Sequence, residues 1–236
     1  MSTLLEICVD SIESAFAARE GGADRLEVCS CLATGGTTPS VGLVKQCVDD
    51  IQLPVMMMIR AHDGAFLYQD HDINSMLTDI EVAHSLGVRG VVFGALTKAR
   101  HVHYEHCQQL LKAAGSMETT FHRAFDVVAN PVEAFDQIVE MGFNRLLTSG
   151  QAASAEEGVS LIRQLCDRSQ DRIVVLAGAG VNSGNAQKIV AATGVRELHA
   201  SASTPVHAQP YGNIGFGIDR RVTTAQLVRA IRRSLD

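Results

Sequence analysis

Short apolar and β-branched runs alternate along this chain with stretches of helical spacing. Strand patterns fall near 4–9, 25–29, 54–60, 89–94, 118–123, 144–148, 172–177 and 196–200. Helical patterns fall near 11–20, 40–50, 72–86, 103–114, 131–141, 154–168, 183–192 and 223–234. Gly21-Gly22, Gly87, Gly142 and Gly194 each close a helical pattern just before a strand, where a left-handed cap is needed. Asn130-Pro131 opens another helix with a good cap and a good first residue. Strand starts recur at roughly 20–35 residues, the length of a βα unit. Eight units predict an α/β protein, a single-domain TIM (β/α)8 barrel over 1–236, with 204–236 as a variable C-terminal segment and last helix. An open doubly wound sheet is the alternative.

The strands are interrupted by polar residues. Side chains alternate faces along a strand. Leu5 and Ile7 oppose Glu6 and Cys8; Leu26 and Val28 oppose Glu27 and Cys29; Phe121 opposes His122; Leu198 and Ala200 oppose Glu197, His199 and Ser201. The outer face of a barrel strand packs on helices and should be apolar. Glu6, Glu27, His122, Glu197 and His199 are therefore assigned to the interior, and Arg60 shares a face with Met56 and Met58. A buried charge costs several kcal/mol unless it is paired. The set is either a buried ion-pair network or a polar ligand pocket. Glu6, Glu27, Arg60, His122, Arg123 and His199 are the candidate catalytic residues.

The chain has 236 residues, 46% hydrophobic and 19% charged, enough for a sizeable core. Its formal charge of −6 argues against nucleic acid as a principal partner. No apolar run is long enough to span a bilayer. Glu6 and Asp10 interrupt any apolar core of a leader peptide, so a cytoplasmic location is expected. The six cysteines, at 8, 29, 31, 47, 107 and 166, read as reduced thiols. A homo-oligomer is expected.

Small residues follow the last strands: Thr148-Ser149-Gly150, Ala177-Gly178-Ala179-Gly180-Val181 and Ser201-Ala202-Ser203. Ser149, Gly150, Gly178, Gly180 and Ser201 are candidate anion-binding positions, because bare backbone N–H groups near helix N-termini suit phosphate there. Cys29-Ser30-Cys31 offers two sulfurs near the mouth, and soft sulfur suits Cu(I). Cys8, Met56 and Met58 read as core filling.

Several ordered motifs resemble the CutC family. They are Glu6-Ile7-Cys8-Val9-Asp10-Ser11, Gly22-Ala23-Asp24-Arg25-Leu26-Glu27-Val28-Cys29, Gly35-Gly36-Thr37-Thr38-Pro39-Ser40, Thr120-Phe121-His122-Arg123-Ala124-Phe125-Asp126 and Leu147-Thr148-Ser149-Gly150. Ala177-Gly178-Ala179-Gly180-Val181 and Glu197-Leu198-His199 extend the resemblance to about residue 201. The resemblance implies a cytoplasmic TIM barrel associated with copper homeostasis, binding copper through cysteines that would here be Cys29 and Cys31. Two places depart from the family pattern. Arg60-Ala61-His62 stands for Arg-Pro-Arg, and Pro210-Tyr211-Gly212-Asn213 keeps Tyr and Asn but lacks the Arg.

Three functions follow as expectations. The first is a copper-homeostasis protein that binds copper ion. The second is an enzyme for a small anionic or phosphorylated metabolite, using Glu27 or Glu6 as base, His122 or His199 as proton partner and Arg60 as charge stabiliser. The third is a non-catalytic scaffold. The expected partner is a small anionic ligand or a metal ion, with no membrane and no nucleic acid.

Overall fold

The computed structural model describes residues 3–206 and 220–235. Eight parallel strands close into a barrel in sequence order: β1 (Leu4–Val9), β2 (Arg25–Val28), β3 (Val55–Met58), β4 (Gly90–Phe93), β5 (Glu118–Phe121), β6 (Arg145–Thr148), β7 (Val174–Ala177) and β8 (Glu197–Ala200). Closure is made by β1 and β8, with Glu6 opposite His199 and Ile7 opposite Ala200. The helices are α1 (Ile12–Gly21), α2 (Val41–Ile51), α3 (Asp70–Leu86), α4 (Tyr104–Ala114), α5 (Pro131–Met141), α6 (Val159–Ser169), α7 (Ala186–Thr193) and α8 (Ala225–Arg233). The open-sheet alternative is excluded by the closed ladder.

Side-chain parity divides the apolar residues into two clusters. Leu5, Ile7, Val9, Leu26, Val28, Met57, Phe93, Phe121 and Leu198 join the large cluster with the inner faces of the helices. Met56 and Met58, on the other parity of β3, form a small separate cluster with Cys29 and Val92. Met56 fits because Gly90 lies opposite: a Cβ there would stand 2.5 Å from the Met56 Cε and 2.3 Å from the Glu118 carbonyl oxygen. The predicted glycine caps are all left-handed, with φ of 91° at Gly22, 72° at Gly87, 90° at Gly142 and 76° at Gly194. Asn130 caps α5 through the Glu133 N–H at 3.4 Å, and Pro131 is its first residue.

Helices α6 and α7 start well after their sequence patterns. Residues 154–158 form a turn before α6, in which the Gly158 N–H donates to the Ser154 carbonyl and the Ala155 N–H to the Ala179 carbonyl. Before α7, side-chain oxygens of Asn182 and Asn185 accept from the Gly184 and Asn182 N–H groups. Such local bonds compete with helix. The variable segment contains an unpredicted antiparallel pair, β9 (Ser203–Val206) and β10 (Arg220–Thr223). Pro210–Asn213 lies outside the described residues. No helix among the described residues is long and apolar enough to cross a membrane.

Candidate functional site at the barrel mouth

The inward polar residues of the barrel separate into two tiers. Arg25, Glu118, Arg145 and Glu197 are each the first residue of their strand, at the N-terminal end of the barrel. They form a chain of ion pairs. Arg25 donates through Nε to Glu6 and through Nη2 to Glu197 at 2.6 Å. Arg145 joins Glu197 at 3.0 Å to Glu118 at 2.5 Å, and Glu118 reaches Arg89 at the surface at 2.6 Å. Burial disfavours the Arg25 charge, but Glu6 and Glu197 outweigh it and hold the guanidinium protonated. The ion-pair reading of the strand polar residues thus describes the base of the barrel.

The second tier lies towards the C-terminal ends of the strands. Glu27 is the third residue of β2, His199 the third of β8, Cys8 the fifth of β1, and His122 directly follows β5. They line a cavity of about 410 Å³ with Leu32, Met58, Phe66, Arg123, Leu147, Gly180 and Ser201 among its walls. Glu27 Oε2 lies 2.9 Å from His199 Nε2 and accepts from the Cys29 thiol at 3.5 Å. Burial would raise the Glu27 carboxyl, yet His199 beside it lowers it below the usual carboxylate range. Burial opposes charge on His199 as well, and Glu27 overrides it and lifts the imidazole above its ordinary value. The pair therefore holds carboxylate and imidazolium together.

His122 is in the opposite state. Burial, reinforced by Arg60, pushes its imidazole down to about 3, so the ring is neutral at physiological pH. Its Nδ1 accepts the Ala124 N–H at 3.4 Å, as the cap of a short 3-10 turn over Arg123–Val127. Glu27 Oε1 and His122 Nε2 are buried and make no hydrogen bond within the described residues. Cys8 Sγ, a Glu27 oxygen and a His199 ring nitrogen all lie within 4.8 Å of one another. Burial and then Glu27 push the Cys8 thiol well up, and the Cys29 thiol is raised by the same two causes.

The loops after the late strands play different parts. Ser149 and Gln151 donate backbone N–H groups to Asp126, and Thr148 donates its hydroxyl at 2.5 Å. The Gly150 N–H goes to the Thr148 hydroxyl at 2.8 Å. The anion held by this turn is the chain's own Asp126, which in turn aligns Arg123 at 2.7 Å. Gly178 gives its N–H to the Thr148 carbonyl at 2.9 Å, and a Cβ there would lie 2.7 Å from Leu147 Cδ1 and 3.2 Å from His199 Cβ. Gly180 and Ser201 line the cavity directly.

Other candidates are dispersed. Glu6 is shared between tiers: it pairs with Arg25, and its other oxygen lies 3.9 Å from His199. Arg60 donates to the carbonyls of Thr34, Gly36 and Gly64 at 3.1, 2.7 and 2.8 Å and stacks over Phe66 at 4.8 Å. It ties the loops after β2 and β3 together, and the guanidinium that lines the cavity is that of Arg123. Cys29 is fully buried, whereas Cys31 is exposed and lines a separate surface cleft beside His62 and Asp72. Cys8, read from sequence as core filling, instead faces Glu27 and His199. Its parity with Glu6 was the available signal. Asp126 and Phe66 were missed as site residues, because Asp126 lies in the short 3-10 turn and Phe66 in a loop, neither of which carries a strand or helix period.

The fold agrees with what the chain is similar to. The CutC family profile matches residues 3–204. A CutC family protein of Pasteurella multocida is 42% identical over 98% of both chains. The human protein named copper homeostasis protein cutC homolog is 46% identical over 84% of this chain and 73% of its own. The crystal structure of CutC from Streptococcus agalactiae superposes with a TM-score of 0.80 at 33% identity, covering 84% of this chain and 98% of that one. On profile, sequence and structure alike, the chain belongs to the CutC family.

Proposed function

We propose that this chain serves copper homeostasis, the role in the name of its human relative, by holding Cu(I) at the barrel mouth. The observation that carries this reading is the convergence of Cys8, Glu27 and His199 donor atoms within 4.8 Å of one another. A thiolate and an imidazole suit copper. Cys29 stands behind Glu27 as a second buried thiol. The Cys8 thiol and the His199 imidazolium both carry a proton in the free site, so binding releases protons and strengthens as pH rises. Anaerobic titration of Cu(I) from its bicinchoninate complex tests this. Wild type should take one ion per chain, and Cys8→Ser and His199→Gln should each weaken binding at least tenfold. Loss on Cys31→Ser instead would move the ion to the Cys29–Cys31 loop expected from sequence. Unchanged binding in all three variants would remove the reading.

A second reading is favoured by a separate observation. Glu27 Oε1 and His122 Nε2, without a partner among the described residues, are buried groups in the wall of a cavity large enough for a small metabolite. Unpaired buried polar groups are costly and concentrate where a ligand completes them. This supports an enzyme acting on a small anionic molecule, with Arg123 as its anchoring charge. Copper and substrate would compete for the Glu27 carboxylate.

A further inference from the structure

We propose that the cavity abstracts a proton from carbon beside a carbonyl group of a small anionic molecule, with the His122 Nε2–H polarising the carbonyl oxygen and Glu27 Oε1 taking the proton. This rests on the enzyme reading and assigns its substrate class and its two acting atoms.

The assignment follows from the hydrogen bonds of each side chain. A ring nitrogen that accepts carries no proton. His122 Nδ1 accepts from the Ala124 N–H, so the ring hydrogen sits on Nε2. That donor has no partner among the described residues. Its direction is held from several sides. Phe66 packs against the ring at 4.8 Å between centroids, and Phe121 meets it edge-on at 6.1 Å. At Gly94 a Cβ would lie 2.9 Å from Nδ1, so only glycine admits the ring there. A fixed, buried, unpaired donor is the arrangement that stabilises a developing oxyanion without reorganising.

Glu27 is the complement. His199 and the Cys29 thiol anchor Oε2, and Oε1 has no partner among the described residues. One bare donor and one bare acceptor on one cavity call for a ligand that offers an acceptor and a removable hydrogen. A carbonyl with an adjacent C–H offers both. Arg123, about half exposed and steadied by Asp126 and by Ser149 at 3.2 Å, can bind a carboxylate or phosphate on the same molecule. Leu32, Met58 and Phe66 provide an apolar wall for its body.

In the step, a bond forms between Glu27 Oε1 and the hydrogen. The C–H electron pair becomes the new C=C bond, and the carbonyl π pair moves to oxygen. His122 keeps its proton and donates a hydrogen bond to that oxygen. The Glu27 carboxyl then exchanges its proton with solvent, and return of a proton to the same carbon restores the compound, now carrying hydrogen from solvent.

The test is hydrogen exchange in D2O followed by proton NMR, with pyruvate, 2-oxobutyrate and dihydroxyacetone phosphate as separate probes. Binding is measured on the same samples by saturation transfer. Wild type should exchange at least one probe at least 100-fold faster than buffer. Glu27→Gln and His122→Phe should each lose that acceleration, and Cys166→Ser should keep it. His122→Gln, which restores an N–H donor, should retain more exchange than His122→Phe at equal folded fraction. Binding without exchange in wild type overturns this inference and leaves the enzyme reading standing. Neither binding nor exchange overturns both. Exchange that survives Glu27→Gln or His122→Phe overturns the assigned roles.

Discussion

Glu27 and His199 are 172 positions apart in the chain, yet the Glu27 Oε2 and His199 Nε2 stand 2.9 Å apart across the barrel seam. Strand β1 lies between their two strands, with Cys8 opposite Glu27 in register and Glu6 opposite His199. Closure of the barrel therefore delivers a carboxylate, an imidazolium and a thiol to one place. Each group is kept in its charge state by its neighbours.

Acid should destabilise the protein through His122. Its folded value of about 3 lies below that of an unfolded histidine. Between about pH 6.5 and 3 the unfolded chain therefore binds the extra proton, and stability falls by about 1.4 kcal/mol per pH unit at this position. His199 has the opposite sign: its raised value gives stability that is complete below the unfolded value and is lost as pH rises through the folded one. Glu27, lowered, contributes above its unfolded value and loses that contribution as pH falls through the folded one. Urea unfolding of wild type and His122→Phe from pH 7.5 to 4.5 should show a shallower slope in the variant. Equal slopes would mean that His122 protonates normally.

Removing Arg25 should be among the most damaging single changes. Arg25→Ala leaves Glu6 and Glu197 buried without their shared cation. Breaking a buried pair on one side costs about 3–5 kcal/mol. Chemical denaturation should show that loss, and a change below about 1 kcal/mol would show that Arg145 alone carries Glu197.

Gly90→Ala should be destabilising although alanine is small. Its Cβ would stand 2.3 Å from the Glu118 carbonyl oxygen, which is backbone and cannot swing aside. Overpacking of this kind costs about 1–3 kcal/mol or more. Adding Met56→Ala removes only the side-chain part of the clash, so thermal unfolding of the double variant should recover little. Full recovery would assign the whole clash to Met56.

Asp126→Asn should loosen the loop after β6 and free Arg123. The variant loses the carboxylate that accepts from Thr148, Ser149 and Arg123. Hydrogen bonds to a charged group contribute about 1.5–3 kcal/mol each. Hydrogen exchange at the Ser149 and Gln151 amides should accelerate, while the amides of β2 keep their protection. Unaltered exchange at both loop amides would show that Asp126 is not what holds the turn.

The barrel itself was written in local patterns. Strand alternation, helical spacing and the glycine caps act within a few residues, so eight βα units and the inward faces of Glu6, Glu27, His122 and His199 could be read one segment at a time. The height of each residue in the barrel could not. Glu6 and Glu27 are each the third residue of their strand, but Glu6 lies opposite Arg25 and pairs with it at the base, whereas Glu27 faces the mouth. That difference depends on the stagger between neighbouring strands, which closure sets. Arg60 carried the right charge on the right face, yet carbonyls from two loops hold it beside the cavity, and the guanidinium at the mouth is that of Arg123. Cys8 looked like filler until β8 brought His199 alongside it. Periodicity sets which way a side chain points, because it is a property of one strand. Which partner it meets is a property of eight strands at once, and only the closed tertiary structure decides it.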